Sequence, residues 1–193
     1  LAGFLAQISN HAMEEVLIEY QGEIVEYGLK PLTTSILKGL LTPFMGETVN
    51  FVNAPVIAKE RGIKVTESTR AKSEDFRSLI AITTRSKMEE NHIAGALFGR
   101  KELRIVKLNG FFIEAIPEGH ILVINNYDKP GVIGNIGETL GKRNINIATM
   151  QLRRNRLGGN AISLLHVDTP LTPRLLEEIL KLPNIVSIRQ VEL

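Results

Sequence analysis

The chain has 193 residues, 44% of them hydrophobic and 23% charged, with a formal net charge of +2 and no cysteine. This excludes disulfide scaffolds and Cys-ligated zinc or iron–sulfur centres on these residues. No run approaches the ~20 apolar residues of a membrane span, and bases interspersed with acids give no electrostatic case for nucleic-acid binding. No basic, then apolar, leader opens the chain, so the cytoplasm is the expected compartment.

Residues 1–10 read as the tail of an amphipathic helix belonging to something upstream. Alternation at Val16, Ile18 and Tyr20 predicts a strand within 12–24, and Ile36, Leu37, Leu40, Leu41 and Phe44 predict a helix over 35–45, begun near Pro31. Asn53 is expected to cap a helix over 54–61, with Pro55 in its first turn and Gly62 at its end. Strands of a mixed sheet are expected at 63–69, 77–84, 93–98, 104–108 and 111–116, with the polar stretch 68–76 a mobile connection. Glu118-Gly119 marks a passage, so 11–117 is read as a first domain and 118–193 as a second.

The second domain has the clearer pattern. An apolar strand at 121–127 meets Asp128-Lys129-Pro130-Gly131. Val132, Ile133, Ile136 and Leu140 then recur at helical spacing, with Gly141-Lys142-Arg143 at the helix end. Strands at 145–153 and 161–167 flank a hairpin containing Gly158-Gly159, longer than the tightest two-residue turn. Leu175, Leu176, Ile179 and Leu180 form a second helical stripe before a strand at 185–193. The order βαββαβ gives an α+β, ferredoxin-like sheet with both helices on one face. Its central strands lack the aromatics that base stacking would need.

A helix following Pro130-Gly131 directs unpaired N–H groups and a positive dipole end at the loop, which favours a carboxylate. Gly131 leaves room for approach, Asp128 can hold an ammonium, and Asn126 can meet a small polar side chain. A free amino acid offers those groups together. The duller readings are that Asp128 caps the helix and that Asn126 and Asn146 satisfy turn backbone. Gly131, Gly134 and Gly137 are spaced G-x-x-G-x-x-G, which is not the dinucleotide fingerprint. They are read as letting the helix pack close to the sheet and to a neighbour. The four histidines are scattered without ligand spacing, so no metal and no catalytic residue is expected.

The stretch GHILVINNYDKPGVIGNIGETLGKRNINIATMQL onward, 119–193, resembles an ACT domain. VNAPVIAKERGIKV (52–65) and RIVKLNGFFIEAIPEGH (104–120) resemble the intervening, or allosteric substrate binding, domain of D-3-phosphoglycerate dehydrogenases. The resemblance implies a C-terminal regulatory region with no dehydrogenase active site of its own. NAD would be bound by upstream catalytic domains, self-association would run through the ACT domains, and L-serine or another small amino acid would be the effector. It also implies an effector site of Asn126, Asp128, Pro130 and Gly131, completed by Asn146 of a neighbouring subunit. Arg104 and Lys107 match a basic cluster for anions, incomplete because Phe112 and Ile116 stand at other positions of it; the bland reading makes them solvated strand-edge charges. Two alternatives are the regulatory part of an L-serine dehydratase, whose Ser-rich, His-containing motif is absent, and a ligand-free dimerisation module.

Overall fold

The structure, a computed structural model, describes residues 1–73, 75–99 and 102–193 and divides into two compact units, Leu1–Gly110 and Phe111–Leu193. No helix among the described residues is long and apolar enough to cross a membrane.

In the first unit α1 (Ala2–Ile8) precedes β1 (Glu15–Gly22), α2 (Lys30–Met45) and α3 (Ala54–Glu60). The strands β2 (Lys64–Arg70), β3 (Ser78–Arg85), β4 (Glu90–Phe98) and β5 (Glu102–Leu108) follow, in the sheet order β2-β1-β3-β4-β5. β1 alternates buried and half-buried residues along its length, turning Val16, Ile18 and Tyr20 to one face. Register places Ile82 of β3 beside Ile18, and Ile93 of β4 beside Ile82, on that same face. α2 lies on it: the Tyr20 hydroxyl meets Thr33 Oγ1 at 2.8 Å, and Thr33 donates to Glu67 Oε1 at 2.7 Å. Fully burying each such Leu, Ile or Phe contributes about 1.5–3 kcal/mol. Leu1–Ile8 is part of this unit, since Phe4 and Leu5 are wholly buried and α1 packs on α2.

Three local expectations are corrected. Asn53 stands at the start of α3 without capping it; its Oδ1 accepts from the Asn50 N–H (2.7 Å) and its Nδ2 donates to the Thr48 carbonyl (2.8 Å), so it builds the preceding turn. The strand expected at 63–69 runs on to Arg70, into the stretch expected as a mobile connection, with Ser68 opposite Glu19 and Arg70 opposite Gln21; Glu74 of that stretch lies outside the described residues. Parallel pairing to β1 supplies the hydrogen bonds of this mostly polar edge strand, in which Val65 is the one apolar residue.

The second unit holds β6 (Phe111–Ala115), β7 (His120–Tyr127), α4 (Val132–Gly141), β8 (Ile147–Arg154), β9 (Asn160–Val167), α5 (Pro173–Leu180) and β10 (Ile185–Glu192). Its four-stranded sheet has the order β10-β7-β9-β8, antiparallel throughout, as the ferredoxin-like reading requires. Val132, Ile136 and Leu140 of α4 and Leu175 and Ile179 of α5 pack on Leu122, Ile124, Leu165 and Ile188. The Thr172 hydroxyl caps α5, accepting from the Leu175 N–H at 3.3 Å. The third correction concerns the stop of α4: Gly141 is still helical, and the reversal is made by Asn144 at φ 55°, after which the Ile145 N–H returns to the Leu140 carbonyl at 3.1 Å.

The α4 glycines Gly134 and Gly137 do not serve packing among the described residues. A Cβ added at Gly134 or Gly137 meets nothing within 4 Å. Gly134→Ala and Gly137→Ala are therefore each expected to stabilise the chain by about 0.5–1 kcal/mol, by removing glycine's unfolded-state freedom. Urea midpoints check this, and a loss of stability would show that a neighbour sits on that face.

Candidate functional site

The loop from β7 to α4 is held on both sides. The Tyr127 N–H donates to the Asn184 carbonyl (2.9 Å) and the Asp128 N–H to the Gly159 carbonyl (2.8 Å). Gly131, at φ 88°, is the left-handed residue that lets the chain turn into the helix, and a Cβ there would meet nothing within 4 Å, so the space before the helix is open. Among the described residues no side chain caps α4. The Asn135 N–H returns to the Gly131 carbonyl at 2.9 Å, so the N–H groups of the first turn before it have no intrahelical acceptor and point to the loop.

Asp128 does not cap the helix. Its Oδ2 accepts from Arg154 Nη1 (2.8 Å) and from the Gly158 N–H (3.0 Å), tying the loop to the β8–β9 hairpin. The Gly158 N–H, and then the Arg154 guanidinium, hold the Asp128 carboxyl below the usual carboxylate range. Both bonds fall on Oδ2, and among the described residues Oδ1 accepts none. Arg154 and Gly158 went unrecognised in the sequence, because nothing local marks a contact across 26 residues.

Asn126 is 3% exposed. It alternates with Leu122 and Ile124 and so faces the helices; Nδ2 donates to the Tyr127 carbonyl at 2.8 Å, while Oδ1 has no partner among the described residues. Pro130 is exposed beside Gly131. Asn146 is not at this site within one chain. It precedes β8 and donates to Asp168 Oδ2 at 3.0 Å, at the end where Ile147 pairs with Val167, whereas Arg154 and Asp128 lie at the other end. Eight strand residues at ~3.3 Å each separate the two ends by about 25 Å.

Arg104 and Lys107 share one face of the first sheet. A register shift opposite Ala94/Gly95 leaves Val106 as the extra residue, so Arg104 pairs with Ala96 and Lys107 with Ala94. Neither is a solvated edge charge. Both are half-buried, and Arg104 bonds Glu102 at 2.8 Å and lies over the Phe98 ring, 5.6 Å from its centre. Burial, and then the Lys107 ammonium, push the His92 imidazole on that face below its ordinary value. His166 is structural: Nδ1 meets Thr149 Oγ1 and Nε2 meets the Ile116 carbonyl, each at 2.8 Å.

The residues present do not fit a dinucleotide. β7, which leads to the glycine-bearing helix, has antiparallel neighbours on both sides, whereas the fingerprint works at a parallel switch point. The parallel pair β1/β2 runs instead into Glu23 and Glu26, which would repel phosphate. Among the described residues no group of three or more His, Cys, Asp or Glu is placed to hold a metal ion.

The second sheet with its two helices on one face forms a small α+β module, and residues 120–184 match the ACT domain family. Residues 1–109 match the family described as the D-3-phosphoglycerate dehydrogenase intervening domain. The chain belongs to that family, with an ACT domain following. It is similar to the D-3-phosphoglycerate dehydrogenase of Bacillus subtilis (34% identical over 193 residues, 100% of this chain and 37% of the relative). It is also similar to the proteins of that name from Archaeoglobus fulgidus (38% over 184 residues, 94% and 35%) and Synechocystis (37% over 194 residues, 100% and 35%). The chain thus spans little more than a third of the length of these relatives.

Proposed function

We propose that this chain is the effector-sensing portion of a D-3-phosphoglycerate dehydrogenase and binds L-serine between two copies of its second unit. In the whole protein the chemistry would be NAD-dependent oxidation of 3-phosphoglycerate, the first step toward L-serine, performed by residues outside this chain. The observation that carries the reading is the start of α4, where an open set of backbone N–H groups lies beside a carboxylate kept ionised, with Oδ1 of Asp128 available. The N–H groups suit the serine carboxylate, and Asp128 Oδ1 suits the ammonium.

β8 is the edge strand of its sheet, with Ala148, Thr149 and Met150 exposed. Antiparallel pairing of two β8 edges about a twofold axis would set the Asn146 end of one copy against the Arg154 end of the other. The separation of Asn146 from Asp128 within one chain is then what an interface site requires. Serine bound across such a pair favours one docking geometry by its differential affinity, and a coupling of about 1–3 kcal/mol suffices for feedback.

Calorimetric titration with L-serine, using glycine and D-serine as controls, is expected to show selective, saturable binding. Mixing an Asp128→Asn chain with an Asn146→Ala chain then tests the interface. Random mixed pairs each carry one intact site, so about a quarter of sites should regain affinity. Absence of serine binding in a folded dimer would leave a dimerisation module; binding unaffected by Asn146→Ala would remove the partner's role.

A further inference from the structure

We infer that the cavity beneath the end of α2 in the first unit binds a small carboxylic acid with a branched aliphatic or aromatic body. The cavity has a volume of about 310 Å3, at the lower end of the roughly 300–1,000 Å3 usual for small ligands. Its floor is Met13, Leu41 and Ile63, all nearly inaccessible to solvent, and its wall carries Phe44 and Met45. Such a lining selects an apolar body.

The polar groups lie at the rim. Arg61 is exposed, and among the described residues its guanidinium makes no hydrogen bond or ion pair. His11 stands with it at the mouth. A planar guanidinium matches a carboxylate with two parallel hydrogen bonds, and an apolar site beside it excludes the water that would otherwise compete.

The walls are fixed without a ligand. α2 stops at Gly46 (φ 64°), whose N–H returns to the Thr42 carbonyl. The end of α3 is closed by the Ile63 N–H on the Ala58 carbonyl at 2.9 Å, with Gly62 at φ 71° between Arg61 and Ile63. Opposite, Glu89 pins the loop before β1: Oε1 accepts from the Asn10 N–H (2.6 Å) and the His11 N–H (3.3 Å), and Oε2 from Asn10 Nδ2 (2.9 Å). Both oxygens of this acid are thereby committed to the wall. Because the walls are preformed, the ordering cost of binding is confined to the Arg61 side chain.

The test uses the whole chain labelled with 13C at its four methionine methyls. Met13 and Met45 line the cavity; Met88 and Met150 are internal controls. Titration with 4-methylpentanoate is expected to shift Met13 and Met45 saturably and to leave the controls in place. The neutral isostere 4-methylpentanamide should bind about tenfold more weakly, the loss of one charge-assisted pair. Arg61→Gln should lower the acid to the affinity of the amide, while unchanged amide binding shows that the variant is folded. The inference is overturned if Met13 and Met45 show no saturable shift at millimolar probe, if all four methyls move together, or if acid and amide bind equally to the parent chain.

Discussion

An Asp128→Asn chain is expected to bind L-serine at least tenfold more weakly than the parent and to keep its thermal midpoint. A hydrogen bond to a charged group is worth about 1.5–3 kcal/mol, which is about ten- to a hundredfold in affinity. The asparagine oxygen can still accept from Gly158 and Arg154, so the hairpin stays tied to the loop. Asp128→Ala is a different experiment. It leaves the Gly158 N–H and the Arg154 guanidinium without their acceptor, so lost affinity would be mixed with a loosened β8–β9 turn. Calorimetry on both variants separates the two effects, and unchanged serine affinity in Asp128→Asn would remove the ammonium role of this carboxylate.

The largest effect on stability is expected at Gly39, where α1 crosses α2. A Cβ there would lie 2.9 Å from the Ala2 Cβ and 3.3 Å from the Gly3 nitrogen, so Gly39→Val drives the helices apart. α1 has seven residues, far below the ~12–15 an isolated helix needs, and cannot persist away from α2. Its departure exposes Phe4 and Leu5, both wholly buried, at about 1.5–3 kcal/mol each, for a total loss of about 3–6 kcal/mol. Phe4→Ala, which leaves α1 seated over a cavity, should cost about 3–5 kcal/mol. Urea denaturation of both variants measures this, and parent-like stability of Gly39→Val would mean that α1 contributes little to the first unit.

The second unit was legible because its helices carry clean apolar stripes and its strands are short β-rich runs bounded by turn residues. Val132, Ile136 and Leu140 sit on one helical face, and the apolar run Ile121–Ile124, ended by Pro130-Gly131, was readable without neighbours. β2 was read at 63–69 and lies at Lys64–Arg70, but its polar end at Ser68–Arg70 carries no hydrophobic signature and is fixed by its parallel partner. Asn53 and Gly141 misled for a related reason: both are residue types suited to helix ends, but the competing hydrogen bonds to Asn50 and Thr48, and the left-handed Asn144, are choices made by neighbouring chain.

The sequence by itself determined the order of elements and the chemical character of the Asp128–Gly131 loop, because periodicity, turn residues and residue type are local properties; the family was legible only through the resemblance of the stretches 52–65, 104–120 and 119–193. Only the tertiary structure decided that Asp128 is already bound by Arg154 and Gly158, that Asn146 stands a strand's length away, and that Met13, Leu41, Arg61 and Ile63 enclose one cavity. Those facts depend on strand register and on where helices end, and both are set by the packing of segments distant in the chain.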